Sequence, residues 1–208
     1  MDNYCKICFH KITDFSLFNL VHKHNLLCEE CFGKMKPKFI SFSIGSIKGL
    51  AVYEYDNEIK DLLYKYKGCS DYELKDVFLY RYLSYLKLKF KGYYVVPAPS
   101  YYLDDERRGF NHVVEIFKSL NLPMLLVLKK KNGHKQSDQS FKNRRMIYDV
   151  IDIDEYVILK GKKILLVDDV MTTGSTLLTA IELLKKKGAK EIKMLVIAKT
   201  KKKMKTEY

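Results

Sequence analysis

The chain has 208 residues, of which 47% are hydrophobic, so it can bury a packed core and is neither a disordered nor a fibrous protein. Its 38 Lys and Arg residues exceed its 25 Asp and Glu residues and give a formal net charge of +13, which favours an anionic partner: a nucleic acid, a phosphorylated small molecule or a membrane surface. The sequence has no apolar run near the ~18 residues of a membrane-spanning helix and no secretory signal, so we expect a cytoplasmic globular protein.

The first predicted element is a metal-binding module at the N-terminal end. Two C-x2-C pairs, separated by nineteen residues, are formed by Cys5, Cys8, Cys28 and Cys31. Such pairs can place four thiolates around one tetrahedral Zn²⁺, which would then be structural. Two disulfides or a redox C-x2-C pair are alternatives, which a reducing cytosol and the presence of two matched pairs disfavour. We predict a zinc-binding module over residues 1–45.

Residues 46–198 are predicted to alternate strands with helices, and residues 199–208 to form a basic tail. The strands are predicted over 50–55, 93–96, 124–128, 163–167 and 191–198. The helices are predicted over 57–67, 71–90, 106–120 and 176–187, and a polar loop over 129–143. This alternation predicts an α/β domain with a parallel sheet.

The strongest functional signal follows the predicted strand over 163–167. Two adjacent carboxylates, Asp168 and Asp169, precede a hydroxyl-rich turn that opens a helix. The turn and helix start comprise Val170, Met171, Thr172, Thr173, Gly174, Ser175 and Thr176. The N–H groups and hydroxyls of such a turn can hold a monophosphate, and the acids would lie one ribose away from it. We predict a sugar-phosphate site; the alternative is an ordinary helix cap with two solvated acids.

Residues 164–176 resemble the signature of type I phosphoribosyltransferases, whose ligand is 5-phosphoribosyl 1-diphosphate. A zinc module ahead of this signature resembles the competence protein F family, which includes ComFC- and GntX-like proteins. Residues 96–99 and 107–112 are similar to that family's V-P-x-P and R-G-F-N-Q segments, with His112 in place of Gln. Softer similarities at 53–67 and 134–145 extend the resemblance over nearly the whole chain. It implies a Rossmann-like, type I phosphoribosyltransferase fold.

The distance between the acids and the turn predicts that Asp168 and Asp169 hold the ribose hydroxyls. The resemblance also implies a role for the loop over 129–143. The loop would be a mobile lid, and Lys135, with Arg144 or Arg145 just beyond the loop, would close on the diphosphate and stabilise its departing charge. A simple solvated loop is the alternative.

Three residues beyond the strand over 93–96 would complete the diphosphate site. The resemblance implies that Ala98 and Ser100 contact the diphosphate, since the neighbouring prolines lack N–H groups, and that Arg108 offers it a guanidinium fork. A rigid turn and a solvated helix start are the alternatives. Mg²⁺ would bridge the diphosphate and be held mostly by substrate and water oxygens.

The predicted function is therefore binding of 5-phosphoribosyl 1-diphosphate in the service of DNA uptake during natural transformation. Single-stranded DNA and other competence proteins are the implied partners, and these partners would bring the protein to the inner face of the membrane. Lysine clusters at 129–131, 185–187 and 201–203 offer phosphate contacts. A nucleobase-salvage phosphoribosyltransferase and a DNA-binding adaptor with a vestigial pocket are the alternatives. Catalytic turnover and the acceptor stay open.

Overall fold

The computed structural model describes residues 4–12, 26–130 and 151–201. Within these ranges there are seven strands: β1 (Ile40–Ile44), β2 (Ile47–Glu54), β3 (Tyr93–Pro97), β4 (Leu128–Lys130), β5 (Ile151–Ile153), β6 (Lys163–Met171) and β7 (Glu191–Lys199). The same ranges hold six α-helices: α1 (Glu29–Lys34), α2 (Asn57–Gly68), α3 (Leu83–Lys89), α4 (Tyr102–Arg108), α5 (His112–Lys118) and α6 (Ser175–Lys186). None of the described helices is long and apolar enough to cross a bilayer.

Five strands form one sheet in the order β1-β2-β7-β6-β3. The strands β2, β7, β6 and β3 are parallel, and β1 pairs antiparallel with β2. The predicted α/β fold with a mainly parallel sheet is confirmed. Strand β1 lies within residues 1–45, which were assigned to the zinc module, yet it hydrogen bonds to the main sheet. The module boundary stays a prediction. Strands β4 and β5 form a separate antiparallel pair.

Helices cover both faces of the sheet, which is why residues 164–167 of β6 are fully buried. Val113, Ile116 and Phe117 of α5 share one core cluster with Val95, Leu165 and Val167. Leu177, Ile181 and Leu184 of α6 share the other cluster with Ile164, Leu166 and Val196. The helices that follow the neighbouring strands β3 and β6 thus lie on opposite faces. This arrangement opens a crevice at the carboxyl ends of these strands, where α/β sheets bind ligands.

Two predicted helices are wrong, because each of the two segments is divided into shorter helical pieces. Residues 71–90 form two 3-10 segments, Tyr72–Asp76 and Tyr80–Tyr82, followed by α3. The Phe78 carbonyl between the two segments accepts a hydrogen bond from the Tyr53 hydroxyl at 2.9 Å. That buried bond gives the carbonyl a partner outside a helical ladder.

The predicted helix over 106–120 is divided at Gly109. Gly109 has a φ of 82°, in the left-handed region that ends helices, and it is the C-cap of α4. The Asn111 side chain then caps α5 by accepting from the Val114 N–H at 2.9 Å. The chain therefore turns between two short helices, and this turn directs both toward the crevice.

Other strands differ in extent from the predictions. Strand β6 continues through the acidic pair to Met171, and the predicted strand over 124–128 is reduced to one bridge from Met124 to Val95, followed by β4. Strands β1 and β5 were not predicted. Lys129 and Lys130 of the predicted loop belong to β4, whereas residues 131–150, and 202–208 of the predicted tail, lie outside the described residues.

Candidate functional site

A cleft of about 380 Å³ lies at the carboxyl ends of β3 and β6. The predicted residues that line it are Ala98, Ser100, Arg108, Asp168, Asp169 and Thr176. The lining residues that had been given no role in this site are Lys67, Pro99, Tyr101, Asp104, His112, Val113 and Lys130. A smaller hollow lined by Asp168 and residues 170–177 adjoins the cleft and shares Asp168 and Thr176 with it. The fold therefore brings the acidic pair and the loop after β3 to one cleft.

The two acids of the pair have different surroundings. One carboxylate oxygen of Asp169 accepts from the Val170 N–H at 2.6 Å, and the other lies 2.6 Å from Lys67 Nζ and 3.4 Å from His112 Nε2. Asp169 is only 7% exposed, whereas Asp168 is partly exposed and faces both hollows. Asp168 is thus the carboxylate that a ligand can reach, and Asp169 is held by the protein.

The pKa values of the two carboxyls are displaced in opposite directions. Burial alone would raise the pKa of Asp169, but the His112 hydrogen bond and the Lys67 ammonium hold it well below its usual range. Burial and the neighbouring Asp169 charge raise the pKa of Asp168. Asp169 is therefore the acid of the pair that stays deprotonated to the lower pH.

The predicted phosphate cradle lies at the start of α6. Gly174 is the N-cap, with a φ of 81°, and the Leu178 N–H makes the first helical hydrogen bond, to the Gly174 carbonyl at 2.8 Å. The N–H groups of Thr176 and Leu177 precede that bond and are the orphan donors expected at a helix start. The hydroxyls of Thr173 and Ser175 lie 3.1 Å apart on the exposed turn. This combination of donors suits an anion.

Val170 and Met171 differ from the rest of the predicted cradle because they belong to β6. The side chain of Met171 is buried in the core against α6, and its carbonyl accepts from the Thr200 N–H at 3.1 Å. These two residues end the strand that leads into the turn. The polar groups of the turn come from Thr172 onward.

Gly174→Ala is expected to lower stability by about 1–2 kcal/mol, because an L-residue is strained at this positive φ. The added Cβ would also lie 2.9 Å from Ile44 Cδ1, the flexible end of a side chain that must then move. Thermal unfolding measures the loss. Gly161→Ala is the matched control, since Gly161 has a φ of 80° with no atom near the new Cβ. A smaller loss at Gly174 than at Gly161 would contradict this account.

The loop after β3 corrects the role expected for Ala98. Its N–H donates to the Val167 carbonyl at 2.8 Å and so continues the hydrogen bonding between β3 and β6. That N–H is therefore not free for a diphosphate. The Ser100 hydroxyl donates to the Asp105 carboxylate and accepts from Asn111 Nδ2 at 2.7 Å. The Ala98 N–H and the Ser100 hydroxyl are thus both used within the protein, whereas a contact of the Ser100 N–H with a diphosphate stays a prediction.

Arg108 is also engaged within the protein, which corrects its expected role as an open fork. Its side chain is 10% exposed. Nε donates to the Lys67 carbonyl at 2.9 Å, and Nη1 lies 3.0 Å from Asp105 Oδ1 and 3.2 Å from His112 Nδ1. Arg108 therefore holds the end of α2, and with it Lys67, against the cleft.

Sequence reasoning gave no site role to Lys67 or His112. Lys67 is 102 positions from its partner Asp169, so no local pattern connects them. The only signal for His112 was its departure from the Gln of the related R-G-F-N-Q segment. Lys135 and Arg144 lie outside the described residues, and their roles stay predictions.

The four N-terminal cysteines come together as predicted. All are free thiols, and their sulfurs lie within 4.8 Å of one another. Four sulfurs at ~2.3 Å from one tetrahedral Zn²⁺ would lie ~3.8 Å apart, and the Cys8 and Cys28 sulfurs are separated by 3.7 Å. The Cys31 N–H points to the Cys28 sulfur at 3.5 Å. The cluster can hold one metal ion, and its donors suit zinc.

Comparison with known proteins bears on both the cleft and the cysteine cluster. Residues 106–208 match the phosphoribosyl transferase domain family. The chain is 32% identical over 146 residues to competence protein ComFC of Streptococcus pneumoniae, covering 69% of this chain and 64% of that protein. It is 31% identical over 115 residues to competence protein F of Haemophilus influenzae, covering 50% of this chain and 49% of that protein. The chain thus spans less than two thirds of either relative.

Among solved structures, the purine phosphoribosyltransferase from Pyrococcus horikoshii Ot3 is 26% identical, with a TM-score of 0.39, over 60% of this chain and 73% of that one. The matched domain, the two competence relatives and the four-cysteine cluster that precedes the domain carry the comparison instead. The chain is thus similar to the competence proteins ComFC and F, and it has a phosphoribosyl transferase domain of mainly parallel α/β fold behind an N-terminal cysteine cluster.

Proposed function

We propose that the cleft binds 5-phosphoribosyl 1-diphosphate. The observation that supports this most directly is the position of Asp168, which lines both the cleft and the hollow at the start of α6. A ribose 5-phosphate placed across them would give its hydroxyls to the carboxylate and its phosphate to the donors of residues 172–176. The diphosphate would then extend into the larger hollow, toward Lys67 and Lys130.

Mg²⁺ is the proposed companion of the diphosphate. It would be held mostly by phosphate and water oxygens, as is usual for this ion beside a nucleotide-type ligand. Of the chain's own cations, Lys67, Lys135 and Arg144 are proposed to contact the diphosphate, and the position of Lys67 in the lining of the cleft supports its part in this. Ligand binding, rather than turnover, is the core of the proposal.

Calorimetry with 5-phosphoribosyl 1-diphosphate and Mg²⁺ tests the proposal. Asp168→Asn is expected to weaken binding by about 10- to 100-fold, the cost of losing one charged hydrogen-bond partner. Glu182→Gln, which neutralises an exposed acid on α6 outside the cleft, should leave the affinity unchanged. No heat with the unaltered chain would overturn the proposal. Release of diphosphate with any member of a nucleobase panel would instead identify a salvage enzyme.

We further propose that the protein takes part in DNA uptake and binds single-stranded DNA. The names of the two competence relatives motivate this role, and a basic groove of about 580 Å³ supports it. The groove lies at the amino-terminal ends of β2 and β7, opposite the cleft. Its basic residues are Lys48, Lys185, Lys190 and Lys193, with Glu191 as its only acid. A phosphate backbone fits this charge, and a DNA strand there would leave the cleft accessible.

Reversing two charges in the basic groove, Lys185→Glu with Lys190→Glu, is expected to weaken single-stranded DNA binding at low salt at least tenfold. The dependence of log K on log salt should fall by about 1.4, because two phosphate contacts are lost. Filter binding over a salt series measures both. Lys36→Glu with Lys60→Glu makes the same charge change at exposed positions elsewhere. Equal losses in the two variants would show an effect of net charge alone and contradict a specific groove.

A further inference from the structure

His112 occupies a closely defined position beside the acidic pair. It is the first residue of α5, and its side chain is 14% exposed. Its carbonyl accepts from the Tyr66 hydroxyl at 2.9 Å, which fixes the backbone. On the ring, Nδ1 lies 3.2 Å from Arg108 Nη1, and Nε2 lies 3.4 Å from Asp169 Oδ2. Both ring nitrogens therefore face charged partners.

The partners of the ring select one tautomer. A guanidinium has donors but no acceptor, so the contact with Arg108 requires an unprotonated Nδ1 that accepts. The remaining ring proton is then on Nε2, where it faces the Asp169 carboxylate. Because Arg108 Nη1 also donates to Asp105 Oδ1 at 3.0 Å, the contacts form a continuous relay from α4 through the ring to β6.

We infer that His112 is a positioning residue for the ligand. Its neutral ring links Arg108 to Asp169 through hydrogen bonds, and its protonation makes anion binding in the cleft depend on pH. The inference rests on the proposed binding of 5-phosphoribosyl 1-diphosphate. The charged groups around the ring are Asp105 and Arg108 of α4, Asp168 and Asp169 of β6, and Lys67 of α2.

Protonation rearranges this relay in a defined direction. An imidazolium can no longer accept from Arg108, and its Nδ1–H turns to Asp105 Oδ1, which lies 4.0 Å away. Arg108 then loses one partner and faces the cleft with an unused donor, while the ring contributes a new positive charge. Both changes favour an anionic ligand, so affinity should rise as the pH falls through the pKa of His112.

The balance of forces on the ring shifts this change to a higher pH than for an ordinary imidazole. Burial lowers the pKa of His112, but hydrogen bonding to Asp105 and Asp169 raises it by more, so the result is a pKa above the ordinary 6.5. The contact with Arg108 belongs to the neutral ring that exists above that pKa.

Glutamine is the matched substitution for His112. Its amide oxygen can accept from Arg108 and its amide N–H can donate to Asp169, so it keeps both links of the relay. It carries no titratable proton. His112→Gln should therefore preserve binding at high pH and lose only the pH dependence, whereas His112→Leu, which has neither link, should bind weakly at every pH.

Calorimetry with 5-phosphoribosyl 1-diphosphate and Mg²⁺ from about pH 6 to about pH 8.5 tests the inference. The ratio of the wild-type affinity to the His112→Gln affinity cancels the protonation of the ligand itself. We expect this ratio to rise about three- to tenfold toward low pH, the effect of one added charge near the diphosphate. A ratio that stays constant within about twofold would overturn the pH dependence but leave the proposed function standing.

The ring's nitrogen resonances test the relay without ligand. At a pH above the pKa of His112, where the ring is neutral, they should show an unprotonated Nδ1 and a protonated Nε2, with the His112→Gln spectrum identifying the signal. A protonated Nδ1 at that pH would overturn the relay. If no ligand binds at any pH, the proposed function fails, and the tautomer still decides whether the relay exists.

Discussion

Removing metal from the cysteine cluster is expected to unfold the N-terminal module. Structural zinc sites supply an apparent ~10–16 kcal/mol of binding free energy, and a module this small has little other stabilisation. Cys28→Ser with Cys31→Ser removes the second pair of ligands and should abolish the about one Zn per chain that metal analysis is expected to find. Cys69→Ser, at an exposed cysteine outside the cluster, is the control. A metal-free chain with unchanged thermal unfolding would contradict a structural role.

The consequences should extend into the segment that packs against the cluster. Lys6 lies 2.6 Å from Glu73, and the Arg81 guanidinium stacks over the Phe32 ring at 3.6 Å. Both contacts join the cysteine module to the two 3-10 segments. Hydrogen exchange after chelation should therefore show lost protection over residues 26–35 and 72–82. Protection along β6 and β7, at the centre of the sheet, should persist.

Asp169→Asn is expected to lower the free energy of unfolding by about 3 kcal/mol, because it leaves Lys67 and His112 without their shared carboxylate. The value is at the low end for a broken buried pair because Lys67 is 36% exposed and can turn to water. Asp168→Asn should have little effect or stabilise slightly, since it removes the repulsion that raises the pKa of Asp168. Chemical denaturation measures both, and equal losses would contradict the different roles.

The stability gap between the wild type and Asp169→Asn should depend on pH. The pKa of Asp169 is depressed in the folded state, so its contribution is present above the unfolded value of 3.8 and is lost as the pH falls below it. The pKa of His112 is raised, so its contribution is complete below 6.5 and is lost as the pH rises through the folded value. The gap should be widest between about pH 4 and pH 6.5; a gap that widens steadily toward high pH would refute this.

The two variants of the acidic pair also separate binding from stability. Asp168→Asn should lose ligand affinity without loss of stability, because Asp168 faces the cleft and has few partners in the protein. Asp169→Asn should lose stability first, because its carboxylate carries the contacts that hold Lys67 and His112. A sequence motif presents the two acids as equivalent, and only their surroundings distinguish them.

The sequence by itself determined the parts of the protein that local pattern encodes. The spacing of the cysteines was sufficient because short C-x2-C turns bring their own thiols together. A continuous apolar strand followed by two acids and a hydroxyl-rich turn specified both the centre of the sheet and the start of α6. In these segments the groups that act together are neighbours along the chain, so their chemistry can be inferred without the fold.

Tertiary structure decided which polar groups remain available. Ala98 N–H is used by the sheet, and Arg108 is used by Asp105, His112 and the end of α2. The Asp169 carboxylate receives Lys67 from a helix 102 positions away. The break of the predicted helix over 71–90 has the same origin, a buried bond to a distant strand. Packing sets the hydrogen-bond partners that are far apart in sequence. Sequence pattern alone could therefore propose residues for the site, but not which of its charged groups pair with one another.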